Sequence, residues 1–384
     1  MKIATSSYRA DAGWTSPLPL QLDGPRTLVL AFAARPFGND PLPWQQLAIA
    51  FPQAVVAGCS TAGEISGVEV HDASVSVAIA RFDRSELRRA WTAVASADDS
   101  RAAGERLAEQ LEGPLNGQDL IAVFVLAGGL AVNGTLLVAG LTARLPQGVS
   151  VSGGLAADGN DFAQTWTLDG MRPTMQGACA IGFYGAALRV GQGCAGGWSD
   201  FGPERRITRS QGNVLYELDG KPALELYKSY LGNRADGLPA TALLFPLAIR
   251  REGPGGETLV RSILGIDEAR QSLVFAGDMP QGAVARLMRA NTDKLIASAG
   301  CAGRAATEAC GGNGRGLAIS VSCVGRRLVL GQRSEEEVEM VRDATAGCAA
   351  HVGFYSYGEI AANLPGGLSD LHNQTMTVTV IREV

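Results

Sequence analysis

The chain has 384 residues, 46% of them apolar and 18% charged, with 49 glycines and a formal net charge of −5. Those figures exclude a disordered chain, which needs low hydrophobicity and high net charge. They also exclude a broad phosphate-binding face, because basic residues cluster only as pairs such as Arg88-Arg89, Arg205-Arg206, Arg250-Arg251 and Arg326-Arg327.

At roughly 100–200 residues per domain, the length predicts two or three domains. The seven cysteines are scattered, with no metal-ligand spacing, and read as small buried hydrophobes in a reducing cytoplasm. Met1 to Ser7 form no apolar leader segment, so the protein is expected to be cytoplasmic. Residues 120–141 carry no charge and are long enough to span a bilayer. Gly128-Gly129 and Asn133-Gly134 interrupt them, which predicts a buried strand, a loop and a helix rather than membrane insertion.

One unit recurs along the chain. The first copy has a strand at 27–33, a helix near 44–50, a strand at 54–57 running into Gly58-Cys59-Ser60-Thr61-Ala62-Gly63-Glu64-Ile65, and a strand at 74–82. The second has a strand at 120–126, a helix near 135–145, a short strand entering Ser152-Gly153-Gly154-Leu155-Ala156-Ala157-Asp158-Gly159, and a strand at 179–184. The third has a strand at 317–323, a helix at 335–344, a strand entering Gly353-Phe354-Tyr355-Ser356-Tyr357-Gly358-Glu359-Ile360, and a period-two strand at 375–381. Between the second and third copies lie a helix at 222–231, a linker-like segment at 232–239, strands near 243–250, 259–266 and 272–276, and a helix near 292–299. Gly253-Pro254-Gly255-Gly256 reads as a hairpin turn.

The pattern predicts a mixed α/β (α+β) fold. Two packed domains of mixed sheets with helices, residues 1–220 and 221–384, are built from strand–helix–strand–turn–strand units and meet near 220–240. Small-residue turns at strand ends are where such folds place ligands. The turns at 59–64, 152–158 and 355–359 are therefore expected to line a shared cleft or inter-domain surface. Cys59, Ser60, Thr61, Glu64, Ser152, Asp158, Tyr355, Tyr357, Glu359 and Asn373 are the candidate ligand-binding residues. Glu64 and Glu359 would either hold a cationic ligand group or accept backbone N–H bonds within the turns.

Other motifs carry less chemistry. Gly191-Gln192-Gly193-Cys194-Ala195-Gly196 has dinucleotide-loop spacing but opens no helix, since Trp198-Ser199-Asp200 and Pro203 follow. Around Ser60 the second glycine of a nucleophile elbow comes one residue late, and no base is at hand. Cys59 would have a lowered pKa if its turn aimed free N–H groups at the thiol; otherwise it is a small core residue. No catalytic set is complete. The three histidines, His71, His351 and His372, form no paired ligand motif.

Several of these stretches resemble a known family. Gly58 to Ile65 and Gly153-Gly154-Leu155-Ala156-Ala157-Asp158 resemble the FIST N-terminal domain, and Gly196-Gly197-Trp198 resembles its end. Residues 212–227, Ser322-Cys323-Val324-Gly325-Arg326, Gly353 to Ile360 and His372-Asn373-Gln374-Thr375 resemble the FIST C-terminal domain. The resemblance implies a non-catalytic, cytoplasmic small-molecule sensor in bacterial signal transduction. With no room for an output module, it would signal through a separate protein such as a histidine kinase. Some standalone relatives bind haem and sense nitric oxide, which leaves the cofactor open; if haem binds, His372 is the candidate ligand. A non-catalytic scaffold is the remaining alternative. The resemblance implies no nucleic-acid partner.

Overall fold

The computed structural model describes residues 1–250, 258–362 and 367–384. The fold is mixed α/β, as the sequence reads: the described residues form three mixed sheets of seven, six and six strands, and an antiparallel sheet of eight. The expected turn at 253–256 lies outside the described residues, but the strands flanking it, Leu247–Arg250 and Thr258–Arg261, pair antiparallel.

Each recurring unit forms the centre of its own mixed sheet. In the first, Thr27–Ala34 runs parallel to Val55–Thr61 across the helix Leu42–Ala50, and antiparallel to Ser74–Arg81. In the second, Leu120–Ala127 runs parallel to Ser150–Leu155 across the helix Gly134–Arg144, and antiparallel to Gly177–Tyr184. In the third, Leu317–Cys323 runs parallel to Ala350–Ser356 across the helices Val324–Leu330 and Ser334–Ala344, and antiparallel to Met376–Glu383. A further strand flanks each closing strand: Lys2–Arg9, Glu86–Ala93 and Leu188–Ala195. The central strands are covered on both faces, so they read as apolar runs rather than alternating ones. One core is common to all three sheets and includes Phe32, Phe124, Ile181, Ile319 and Phe354. Phe32 stacks on Phe354 with ring centroids 4.6 Å apart.

The hairpin after each second strand leaves its own sheet. Glu64–Ser66 and Glu69–His71 extend the third unit's sheet at Ala350–Ser356. Gly358–Ala362 and Ser369–His372 extend the second unit's sheet at Ser150–Leu155. Thr167–Asp169 and Arg172–Thr174 extend the first unit's sheet at Val55–Thr61. The units thus trade hairpins around a closed circle, and each hairpin covers an edge that would otherwise present unpaired N–H and C=O groups.

The eight-stranded sheet is inserted into the third unit, between Leu188–Ala195 and Leu317–Cys323. It has its own core around Leu215, Tyr227, Leu247 and Phe275. The linker-like segment 232–239 lies within this module, where Gly232–Gly237 is a 3-10 helix following Ala223–Leu231. The helix Thr292–Ala309 returns the chain to the third unit and packs on Leu188–Ala195. There the GxGxxG glycines find their structural use. A Cβ at Gly191 or Gly193 would run into the carbonyl of Ala306 or Ala302 on that helix. Among the described residues, no helix is long and apolar enough to cross a membrane.

Candidate functional site

The three strand-end turns meet one another. Ala62 N donates to Tyr355 O at 2.8 Å, Tyr357 N to Leu155 O at 3.2 Å, and Ala157 N to Ser60 O at 2.9 Å. Each donor occupies the same place in its unit, and so does each acceptor, so the bonds close a ring. Tyr355 N returns a bond to Gly63 O at 2.9 Å.

Beside the ring, Glu64 and Glu359 are wholly buried and accept local donors. Glu64 takes the Thr61 hydroxyl together with the N–H and hydroxyl of Ser74, at 3.1 and 2.7 Å. Glu359 takes the Ser356 hydroxyl at 2.6 Å and the N–H and hydroxyl of Thr375 at 3.1 and 2.9 Å. Among the described residues neither forms a salt bridge. Burial pushes the Glu64 carboxyl up to about 7 and that of Glu359 up to about 8, against the downward pull of these hydrogen bonds. The second unit has Gly159 at the corresponding place. Its Asp158, one residue earlier, accepts from the amides of Ala163 and Gln164 at 2.8 and 2.7 Å and from the Tyr357 hydroxyl.

The other candidate residues divide between this joint and the cores. Ser60 Oγ accepts from Trp166 N at 3.1 Å, and the Tyr355 hydroxyl donates to Glu337 at 2.9 Å. Asn373 donates to Tyr357 O at 3.5 Å, and its buried Oδ1 has no partner among the described residues. Ser152 is buried within its strand. Cys59 points into the shared core near Cys179, and burial raises its thiol well above the usual range, so the turn does not activate it. The turn residues meet in a buried joint, not an open cleft.

Open space begins at Phe162, which stacks on Tyr357 with centroids 4.7 Å apart and planes 7° apart. Beyond it lies an apolar groove of about 610 Å³. Phe162 and Leu328 form the wall from the units; Leu238, Leu243, Leu244 and Leu264 form the wall from the inserted module. The joint holds the module alongside. Gln374 Nε2 donates to Leu243 O at 3.2 Å and Ser262 Oγ at 2.9 Å, Arg261 donates to Leu371 O at 2.8 Å, and Trp198 Nε1 donates to Gln374 O at 2.7 Å. Sequence reasoning missed this groove. Its only trace there is a set of single apolar residues, such as Phe162 after Asn160-Asp161, in otherwise polar turns.

Behind the joint, Arg326 and Glu337 form a buried ion pair at 2.7 Å. Arg326 also donates to Gly196 O at 2.5 Å and Leu295 O at 2.8 Å. Glu337 accepts the Ser322 hydroxyl at 2.9 Å as well as that of Tyr355.

Family comparison places these motifs together. The FIST N domain model matches residues 27–221, and the FIST C domain model matches residues 223–362. The chain belongs to the FIST family. FIST domains are associated with sensing in signal transduction. No curated protein matches the chain. FIST N and FIST C are interleaved here: the FIST N strand Glu64–Ser66 sits in the sheet of FIST C, and the FIST C strand Gly358–Ala362 sits in that of FIST N.

The imidazoles of this FIST protein do not fit a haem ligand as placed. His372 is buried, and its Nε2 donates to Ala361 O at 2.9 Å. His351 is held between Ser320 Oγ and Gly67 O, each at 2.7 Å, and burial lowers its pKa to about 4. His71 lies 3.1 Å from Glu69. None of the three borders the apolar groove. Among the described residues, no cluster of three or more His, Cys, Asp or Glu is arranged to hold a metal ion.

Proposed function

We propose that the protein is a small-molecule sensor of signal transduction, with its ligand in the groove between the FIST units and the inserted module. The ligand is an uncharged, largely apolar organic molecule, and a separate signalling protein, such as a histidine kinase, reads its presence. One observation carries this reading: the two walls of the groove belong to bodies with separate cores. A ligand touching both walls biases how the bodies sit, which is the differential contact that switching requires. The volume falls within the roughly 300–1,000 Å³ of small-molecule sites.

The burial of both nucleophile candidates, Cys59 and Ser60, supports a non-catalytic role. The haem-based nitric oxide sensor is the weaker reading because His372 already commits Nε2 to Ala361. A Soret band on adding haem, lost in His372→Ala, would reverse that order. The direct test is thermal unfolding of the wild type and Leu328→Arg against a panel of apolar ligands. A binder stabilises the wild type by RT ln(1 + [L]/Kd) and leaves Leu328→Arg unmoved. Equal stabilisation of both proteins would sink the proposal.

A further inference from the structure

A second cavity, of about 610 Å³, lies at the end of the 3-10 segment Ala240–Leu244. Leu244 lines both cavities, but their chemistry differs. The lining of this one includes Arg234, Arg289, Lys294, Ser199, Phe201 and Phe245, and no carboxylate among the described residues.

Two aromatic rings position its guanidinium groups. Arg234 lies over Phe245 at 5.3 Å and Arg289 over Phe201 at 5.6 Å, while the rings sit 6.4 Å apart. Lys294 Nζ donates to Ser199 Oγ at 3.0 Å. Among the described residues, none of the three cations has a carboxylate within salt-bridge distance. Four other arginines of the module do: Arg205 pairs with Asp219, Arg209 with Glu217, Arg250 with Glu204 and Arg286 with Asp200. Two acids next to lining residues in sequence are engaged elsewhere, Asp200 on Arg286 at 2.6 Å and Asp293 on Arg333 at 2.9 Å, and Asp236, two residues from Arg234, does not line the cavity. In a chain of net charge −5, three unneutralised cations around one concavity focus positive potential there. Like charges held together without a counter-charge repel, and an anion supplies the missing one.

We propose that this cavity is a second ligand site, for a small organic dianion, either a dicarboxylate or a phosphate monoester. Planar guanidinium groups pair with either oxyanion through two parallel hydrogen bonds, and the aromatic rings receive the carbon skeleton. With no carboxylate in the lining, the site disfavours ligands bearing an ammonium group. This site does not depend on the apolar groove, and Leu328→Arg leaves it intact.

Isothermal titration with succinate, glycerol 3-phosphate and glutamate tests the proposal on the full-length protein. Succinate or glycerol 3-phosphate binds more tightly than glutamate, and which of the two is preferred identifies the oxyanion. Arg289→Met, Arg234→Met and Lys294→Met each weaken binding about tenfold or more, whereas Arg286→Met, an equal change in net charge on the same sheet, changes it less than about twofold. Retained thermal stability in the variants excludes unfolding as the cause. The proposal fails if neither dianion binds at ~150 mM salt, where diffuse attraction is screened. It also fails if Arg286→Met weakens binding as much as Arg289→Met, or if glutamate binds best.

Discussion

Glu64 and Glu359 make the same three hydrogen bonds from opposite ends of the chain. Each accepts a hydroxyl from three residues earlier, Thr61 or Ser356, and both the N–H and the hydroxyl of Ser74 or Thr375 where the closing strand begins. The repetition extends from strand order to individual donors and acceptors. Both side chains hold the turn against its closing strand, using polar groups that would be costly to bury unpaired.

These carboxyls set a pH dependence. Their folded values, about 7 and about 8, lie above the ordinary carboxylate value. The folded state therefore keeps protons that the unfolded state has lost, and their contribution to stability falls as pH rises from about 4.5 to about 8. Glu359→Gln cannot ionise and removes its share of this loss. The difference in melting temperature between pH 5.5 and pH 8 is expected to shrink by a few degrees. A difference as large as in the wild type would show that Glu359 does not titrate in the folded state between pH 5.5 and pH 8.

Arg326 and Glu337 should couple strongly. Arg326→Met leaves Glu337 charged and buried, and is expected to cost about 3–5 kcal/mol. Arg326→Met combined with Glu337→Leu removes both charges and is expected to cost less than the single change. Urea unfolding of the two proteins checks this, and a double variant less stable than Arg326→Met would contradict it.

Tyr357→Phe keeps the ring under Phe162 but removes the hydroxyl on Asp158. The expected loss is about 1–3 kcal/mol, as for a hydrogen bond to a charged group. Asp158→Ala should cost more, because it also releases the amides of Ala163 and Gln164. Faster amide exchange at those two positions in Asp158→Ala, but not in Tyr357→Phe, would confirm the division of roles.

FIST N and FIST C should not fold apart. Residues 1–221 alone would expose the edge at Ser150–Leu155 where Gly358–Ala362 docks, and would leave Glu64–Ser66 without a sheet. Neither fragment is expected to unfold cooperatively on its own, while co-expressed fragments should co-purify. Cooperative unfolding of isolated 1–221, followed by circular dichroism, would contradict this.

The recurring unit was legible because strands covered on both faces leave uninterrupted apolar runs, and because Gly63-Glu64-Ile65 and Gly358-Glu359-Ile360 mark matching turns. The hairpin exchange was not. Pairing Glu64–Ser66 with Ala350–Ser356 is a contact far apart in sequence between short strands, and no local pattern encodes it. The helix Thr292–Ala309 was seen only as far as 299, since its second half is mostly small residues with little apolar contrast. At the candidate site, residue types pointed to the turns but not to their burial against one another. Cys59 reads more readily as a core residue than as a turn thiol, and packing decides for the core. The groove escaped notice because Phe162, Leu264 and Leu328 belong to separate turns that the fold alone brings together.

The circle of traded hairpins also sets a schedule for biosynthesis. Glu64–Ser66 leaves the ribosome long before its partner Ala350–Ser356. At about 5–20 residues per second, the wait is on the order of 15–60 s. Until then Glu64–Ser66 has no sheet to join, and the edge at Ser150–Leu155 likewise waits for Gly358–Ala362. The nascent chain therefore carries adhesive β-edges through most of its translation, so its yield should depend on holdase chaperones and on elongation rate more than the stability of the finished fold suggests.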